Sequence, residues 1–185
     1  MTDYKYFTGI WEADNVIMTQ FLEDVDFYSG SERKKMYKMP KGVDGGSMLL
    51  GLTWKSYLSP TKNREYDPES GMSKTKVFSE YPQLKEIFKE FAHIWFPDFV
   101  YDQTQMNKNF PCPPHKDSKN IGESIAVGFG QYSGGELVLV NENKKETLIN
   151  IGIAPFKFNG SLITHYVKPY KGDRYSLIFF SNFKK

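Results

Sequence analysis

Residues 124–141 read "SIAVGFGQYSGGELVLVN", and their reading decides how the second half of the chain folds. Two short apolar runs flank a turn in which Gly134 and Gly135 can take positive φ, which sets Glu136 at the start of a new strand. The same grammar extends to both sides. "VYDQTQMNKNF" (100–110), "ETLINI" (146–151), "APFKF" (154–158), "LITHYV" (162–167) and "RYSLIFF" (174–180) are further short runs separated by turn residues. This spacing predicts an antiparallel sandwich or barrel of about seven or eight strands. Tyr101, Gln103, Gln105 and Asn107 alternate along one strand face, as the polar wall of a site or as a solvent-facing edge. Phe158, Asn159 and Gly160 read as a turn into the next strand.

Before residue 99 the periodicity is helical. Residues 14–27, "DNVIMTQFLEDVDF", space Ile17, Phe21 and Val25 for one helix, with Asp14 or Asn15 as its cap. Residues 81–96, "YPQLKEIFKEFAHIWF", place Leu84, Ile87, Phe88, Phe91, Ile94 and Trp95 on one stripe of a second helix. His93 lies about 140° around that helix from Phe88, which puts it on the rim or surface. Between the helices an apolar piece, "SMLLGLTWKSYL" (47–58), is flanked by "KMPKGVDGG" (38–46) and by "SPTKNREYDPESGMSKTK" (59–76), the latter a long loop and lid candidate. The expected architecture is mainly β with flanking helices (α+β). It forms one domain over 1–185, with a helical and loop part to about residue 98 and a β-sandwich core over about 99–181.

A chain of 185 residues can bury one sizeable core. With 39% hydrophobic and 16% aromatic residues it is not a disordered sequence. No apolar run reaches bilayer length, and "MTDYKYFTGI" lacks the apolar segment of a signal peptide. A soluble intracellular protein, cytoplasmic or nuclear and without a membrane partner, is therefore expected. The single Cys112 excludes an internal disulfide, and "CPPH" falls short of the four ligands of structural zinc. A net charge of +2 does not select nucleic acid by itself. Arg33, Lys34, Lys35, Lys38 and Lys41 nevertheless cluster around Tyr37, as a solvated face or as a phosphate-binding one.

The chemistry begins at "HKD". Alternate residues of an extended segment point to one side, so His115 and Asp117 can aim at a common point. Further on, "LITHYVKPYKGDRYSLIFF" reads as two strands joined by a turn at "KPYKGD". A hairpin centred between Pro169 and Tyr170 sets His165 opposite Arg174, with Ser176 on the same face. A buried Arg and His are costly without partners. Read alone they suit an internal ion pair and a backbone hydrogen bond. Read with "HKD", His115, Asp117 and His165 make the two-histidine, one-carboxylate set that suits non-haem Fe(II). Arg174 then has the planar fork to hold a carboxylate, with the Ser176 hydroxyl as a third donor.

In these motifs, "HKD", the distal His165 and "RYS" nine residues later, the chain resembles the Fe(II)- and 2-oxoglutarate-dependent oxygenases over about residues 99–181. "PHKDSKN", "GFGQYSGGELVL" and "FNGSLITHYVKPYKGDRYSLIFF" resemble the branch of the TET and J-binding-protein pyrimidine oxygenases and their viral and algal relatives. The resemblance implies a double-stranded β-helix, a jelly-roll core like that of cupins. It implies Fe(II), 2-oxoglutarate and O2 as cofactors, and hydroxylation of a C–H bond. It also implies His115, Asp117 and His165 as metal ligands, with Arg174 and Ser176 at the far carboxylate of 2-oxoglutarate and Asn107 a candidate for the end nearest the metal. Asn120 and Gln105 are substrate-side candidates; Asn120 serves equally to end a turn. A methylpyrimidine in nucleic acid is the first expected substrate, with a prolyl or other protein side chain, or a small molecule, as alternatives. A cupin-like enzyme without 2-oxoglutarate and a non-enzymatic ligand-binding jelly roll are the remaining readings.

Overall fold

The computed structural model describes residues 5–53 and 72–182. In chain order these form α1 (Trp11–Glu23), α2 (Ser31–Met36), β1 (Gly46–Thr53), β2 (Ser73–Lys74), α3 (Lys76–Glu80), α4 (Gln83–Trp95), β3 (Gln103–Lys108), β4 (Ser124–Phe129), β5 (Tyr132–Gly134), β6 (Leu137–Val140), β7 (Glu146–Ile149), β8 (Phe156–Phe158), β9 (Thr164–Val167), β10 (Tyr170–Gly172) and β11 (Tyr175–Phe180). Most of the lid candidate at 59–76 falls outside the described residues.

A six-stranded antiparallel sheet runs in the order β2-β1-β3-β11-β4-β8, and its two faces divide the molecule. Thr104 and Met106 on β3, Leu177 and Phe179 on β11, and Ile125, Val127 and Phe129 on β4 share one face. That face packs under α1, α3 and α4 in a core that includes Met18, Leu22, Phe88 and Phe91. Side chains one residue out of step, Gln103, Gln105 and Asn107 on β3, Ser176 and Ile178 on β11 and Ala126 on β4, take the opposite face. Opposite them lies the three-stranded sheet β7-β6-β9, and a smaller apolar cluster of Ala126, Leu137, Ile151 and Phe158 fills the gap. The site lies in this gap.

Helix α4 occupies the expected stripe, with Leu84, Ile87, Phe88 and Phe91 buried and His93 exposed. Helix α1 begins and ends earlier than its sequence spacing suggests. Neither Asp14 nor Asn15 is its cap, for the N-cap position is Ile10 and carries no side-chain bond. Asp14 is instead buried in the first turn, where its carboxylate accepts from Thr8 N, Thr8 Oγ1, Gly9 N and Trp95 Nε1.

The segment from residue 99 contains nine strands, β3 to β11, against the seven or eight that the spacing predicts. The excess comes from β5 and β10, three-residue strands hidden in turn-rich sequence that pair only with each other. This pairing also overturns the expected hairpin between "LITHYV" and "RYSLIFF". Strand β9 pairs with β6, setting His165 opposite Leu139, while β11 lies between β3 and β4. His165 and Arg174 thus come from different sheets. The polar wall on β3 is central and not an edge, with Gln103 2% and Gln105 7% exposed. Tyr101 does not share it. The strand starts at Gln103, and the Tyr101 ring packs edge-on to Phe179 on the helix side, 4.9 Å between centroids.

Candidate metal centre

His115 lies outside the named strands but is bridged to His165 in β9. Each backbone N–H donates to the other's carbonyl, at 3.0 Å from His115 N and 2.9 Å from His165 N. The same local pattern then sets both rings. His115 Nδ1 lies 2.7 Å from the Pro113 carbonyl and His165 Nδ1 lies 2.9 Å from the Ile163 carbonyl. A carbonyl oxygen only accepts, so each Nδ1 carries the proton and each Nε2 is left as the outward donor atom.

Both Nε2 atoms face Asp117, at 3.4 Å from His115 to Oδ1 and 3.5 Å from His165 to Oδ2. One donor atom from each of the three residues lies within 4.8 Å of the others, the size of a metal-ligand set. Asp117 is fixed by its backbone N–H to the Gly160 carbonyl at 2.9 Å and by Asn120, whose N–H closes a turn onto the Asp117 carbonyl. Asn120 Nδ2 also reaches Asp117 Oδ2 at 3.4 Å and Ser124 Oγ at 3.3 Å. Asn120 therefore ends a turn, as the sequence allows, and its side chain also supports Asp117. Burial lowers the pKa of His115, but hydrogen bonds to Asp117 and Cys112 outweigh it and raise that pKa to about 10. Burial likewise opposes charge on Asp117, yet the two histidines hold it below the usual carboxylate range. Without a cation His115 and Asp117 thus form a charged hydrogen-bonded pair, whose proton a metal would displace.

Arg174 enters the same cavity from the large sheet and is 2% exposed. Asn109, at φ 49°, pins its backbone by trading two 2.9 Å hydrogen bonds, Asn109 N to Arg174 O and Arg174 N to Asn109 Oδ1. Its side chain has no such partner, for Nε and Nη2 are both buried without a hydrogen bond. These two nitrogens form one edge of the planar fork. Ser176, directly across from Asn107, accepts from Asn107 Nδ2 at 3.1 Å. Asn107 Oδ1 in turn accepts from Ser47 Oγ at 2.5 Å.

The eight residues given metal, co-substrate or substrate roles, His115, Asp117, His165, Arg174, Ser176, Asn107, Asn120 and Gln105, line this one cavity, whereas Tyr101 and Gln103 do not. Sequence reasoning names Arg33, on α2, only as a member of the basic cluster. It lines the cavity as well and donates from Nη2 to Gln105 Oε1 at 3.3 Å, so one member of that cluster reaches the site. Gly160 is a turn residue by sequence, yet a Cβ there would stand 3.0 Å from Asp117 Oδ2 and 3.3 Å from His165 Cε1. Cys112, too few in ligands for zinc, has its Sγ 3.7 Å from both ring nitrogens of His115. An outer cleft opens from the donors to solvent, bordered by Arg33, Lys116, Lys119, Asn120 and Asn182.

No protein-family model and no curated protein matches the sequence. Solved structures do match in fold. NgTET1 in complex with 5mC DNA superposes with a TM-score of 0.52 at 15% identity, over 91% of this chain and 67% of that one. A full-length Neurospora crassa protein in complex with alpha-KG matches at 0.46 and 11% identity, over 93% and 71%. An oxidoreductase of the 2OG-Fe(II) oxygenase family from Burkholderia pseudomallei matches at 0.39 and 18% identity, over 50% of this chain, and the chain spans 50% of its length. At 15% identity what the NgTET1 likeness shows is the fold, here mainly β with antiparallel sheets and a few helices. Among the described residues no helix is long and apolar enough to cross a membrane.

Proposed function

We propose that the chain is an Fe(II)- and 2-oxoglutarate-dependent oxygenase that hydroxylates a C–H bond on a double-stranded β-helix core. The observation that carries this reading is the conjunction in one cavity of a His115, Asp117, His165 donor set with a buried Arg174 whose fork has an unbonded edge. A guanidinium removed from water calls for an anion, and two parallel N–H groups take a carboxylate in two hydrogen bonds. Two histidines and one carboxylate hold non-haem Fe(II) while leaving coordination positions free. Fe(II), 2-oxoglutarate and O2 would supply the oxidising chemistry, with succinate and CO2 as by-products.

The chain's own residues bind, orient and shield. Arg174 and the Ser176 hydroxyl would take the far carboxylate. Because Asn107 already donates to Ser176 Oγ, the serine proton is free to point at that carboxylate. Asn107, read from the sequence as a contact for the end nearest the metal, would also orient Ser176 through this hydrogen bond. Asn120 and Gly160 hold Asp117 in place, and Ala126, Leu137, Ile151, Phe158 and Ile178 keep bulk water from the cavity.

For the substrate we propose a methylpyrimidine base in nucleic acid, presented single-stranded or extruded from a duplex. The cleft over the donors supports it, since Arg33, Lys116 and Lys119 border an opening in which Asp117 is the one carboxylate among the described residues. The fold likeness to NgTET1, solved on 5mC DNA, points the same way. Anaerobic titration with Fe(II) and 2-oxoglutarate, read by the metal-to-ligand absorption band, tests the cofactors. Methylpyrimidine oligonucleotides, proline-containing peptides and free nucleosides, scored by a mass gain of one oxygen, test the substrate. Oxygen transfer to the peptide alone would replace nucleic acid by a protein side chain.

A further inference from the structure

The Arg174 guanidinium is buried with two nitrogens unbonded, yet it is held in place, and the small ribbon of β5 and β10 shows how. Tyr170 pairs with Gly134, and Gly172 pairs with Tyr132. Directly opposed residues of an antiparallel pair share a face, as do residues two apart, so Tyr132 and Tyr170 are diagonal neighbours on one face of the ribbon. The residue opposite each ring is a glycine, which leaves a space with no side chain of its own. The Arg174 guanidinium carbon stands over both rings, 5.4 Å from the centroid of Tyr132 and 5.6 Å from that of Tyr170. Gly135 follows at φ 72°, and a Cβ there would stand 2.9 Å from both Cδ and Nε of Arg174. The turn after β5 therefore needs glycine on two counts, for its backbone angle and for the arginine that passes against it.

We propose that Tyr132 and Tyr170 are positioning residues that hold the Arg174 guanidinium by their ring faces in place of an acidic partner, so that its hydrogen-bonding edge stays open for the far carboxylate of a dicarboxylate co-substrate. The proposal rests on the oxygenase reading for the identity of that carboxylate, but the ring contacts stand without it. An aspartate beside Arg174 would have satisfied its charge by occupying the same N–H edge that the co-substrate needs. An aromatic face attracts the cation through the ring quadrupole and consumes no N–H. The hydroxyl of Tyr132 is buried without a well-formed hydrogen bond but lies close enough to interact with the guanidinium, so phenylalanine variants separate ring from hydroxyl.

Two measurements on the full chain test the clamp. In the metal-free, ligand-free protein the Arg174 Nε–H resonance, assigned by its loss in Arg174→Lys, is expected to be shifted by ring currents and to return toward the free-arginine position in Tyr132→Leu and Tyr170→Leu. A native resonance at the free-arginine position would overturn the clamp whatever the cavity binds. In the metal-loaded protein, calorimetric affinity for 2-oxoglutarate is expected to fall about three- to thirtyfold in each leucine variant, the range of a cation–π contact from exposed to desolvated. Tyr132→Phe and Tyr170→Phe should restore it to within about twofold, and affinity for Mn(II) should stay unchanged. Phenylalanine variants as weak as the leucine ones would assign the effect to the hydroxyls, and an equal loss of Mn(II) would assign it to general damage; either overturns the proposal. A native protein with the shifted resonance that binds Mn(II) but not 2-oxoglutarate would uphold the clamp and overturn the oxygenase reading instead.

Discussion

His115 and His165 repeat one hydrogen-bonding pattern, each fixing its own Nδ1 on the carbonyl two residues earlier while their backbones bond reciprocally. The rings are set by local backbone, so neither needs a metal to point its Nε2 at Asp117. Removing a ring should therefore remove a ligand without unmaking the fold. His115→Ala, Asp117→Ala and His165→Ala are each expected to abolish 2-oxoglutarate turnover and to lower Fe(II) affinity by at least about a hundredfold, since partners of metal ligands alone are worth about ten- to a hundredfold. Circular dichroism should remain native. His93→Ala, exposed on α4, is the control and should leave metal binding unchanged; near-native turnover in any of the three ligand variants would dismiss the metal assignment.

Arg174→Lys replaces a fork with a point charge in a site from which water is excluded. Affinity for 2-oxoglutarate should fall by at least about thirtyfold, the lower end of the cost of truncating a buried charged hydrogen-bonding partner. Affinity for Fe(II) should hardly move. Asn107→Ala, which releases the Ser176 hydroxyl from its donor, should weaken 2-oxoglutarate by about two- to twelvefold, as for one hydrogen bond. Calorimetry with each ligand in turn separates the two effects.

Gly160→Ala tests the support behind the donors. The added methyl would press on Asp117 Oδ2 at 3.0 Å and on His165 Cε1 at 3.3 Å, so one or both ligands must shift by a few tenths of an ångström. We expect a thermal midpoint close to native with clearly weaker Fe(II) binding. A variant that binds iron as tightly as the native chain would show that the donors adjust freely.

Binding of a single-stranded methylpyrimidine oligonucleotide should weaken with added salt by about 0.7 log units of affinity per log unit of salt for each phosphate contacted. Lys34 and Lys35 are exposed on α2, and replacing both by Gln should reduce that slope. Arg33→Ala should cost more affinity than either lysine, because Arg33 lines the cavity itself. A salt-independent affinity would remove the basic cluster from any part in recognition.

Much of the site was legible because it is written in short motifs. "HKD" and "RYS" put the candidate metal-ligating and anion-binding residues two apart on extended chain, where alternation gives a shared direction. Helix α4 was legible because its stripe repeats over three turns. What failed were inferences from nearest neighbours. The symmetric turn between His165 and Arg174 looked like a hairpin because β10 is too short to show any alternation, and its pairing with β5 lies more than thirty residues away. Asp14 looked like a helix cap by residue type, yet its hydrogen bonds go to the preceding loop and to Trp95 on another helix. Arg33 could not be recognised because a basic run gives no sign of which member turns inward; only the position of α2 beside β3 selects it.

The two sheets contribute unequally to the cavity. The candidate metal donors come with the three-stranded sheet and the loop bridged to it, and the proposed co-substrate anchor comes with the six-stranded one. The distance between them is therefore a layer thickness, gauged by Ala126, Leu137, Ile151 and Phe158. The jaws of a calliper behave this way, since what is inserted between them sets the length they accept. Ala126 lines the cavity, so Ala126→Val would narrow it by a methyl group or two and, with every polar residue left in place, tilt preference from 2-oxoglutarate toward a shorter dicarboxylate, read as the ratio of their calorimetric affinities. Selectivity for co-substrate length in this fold would then be a property of its apolar filling.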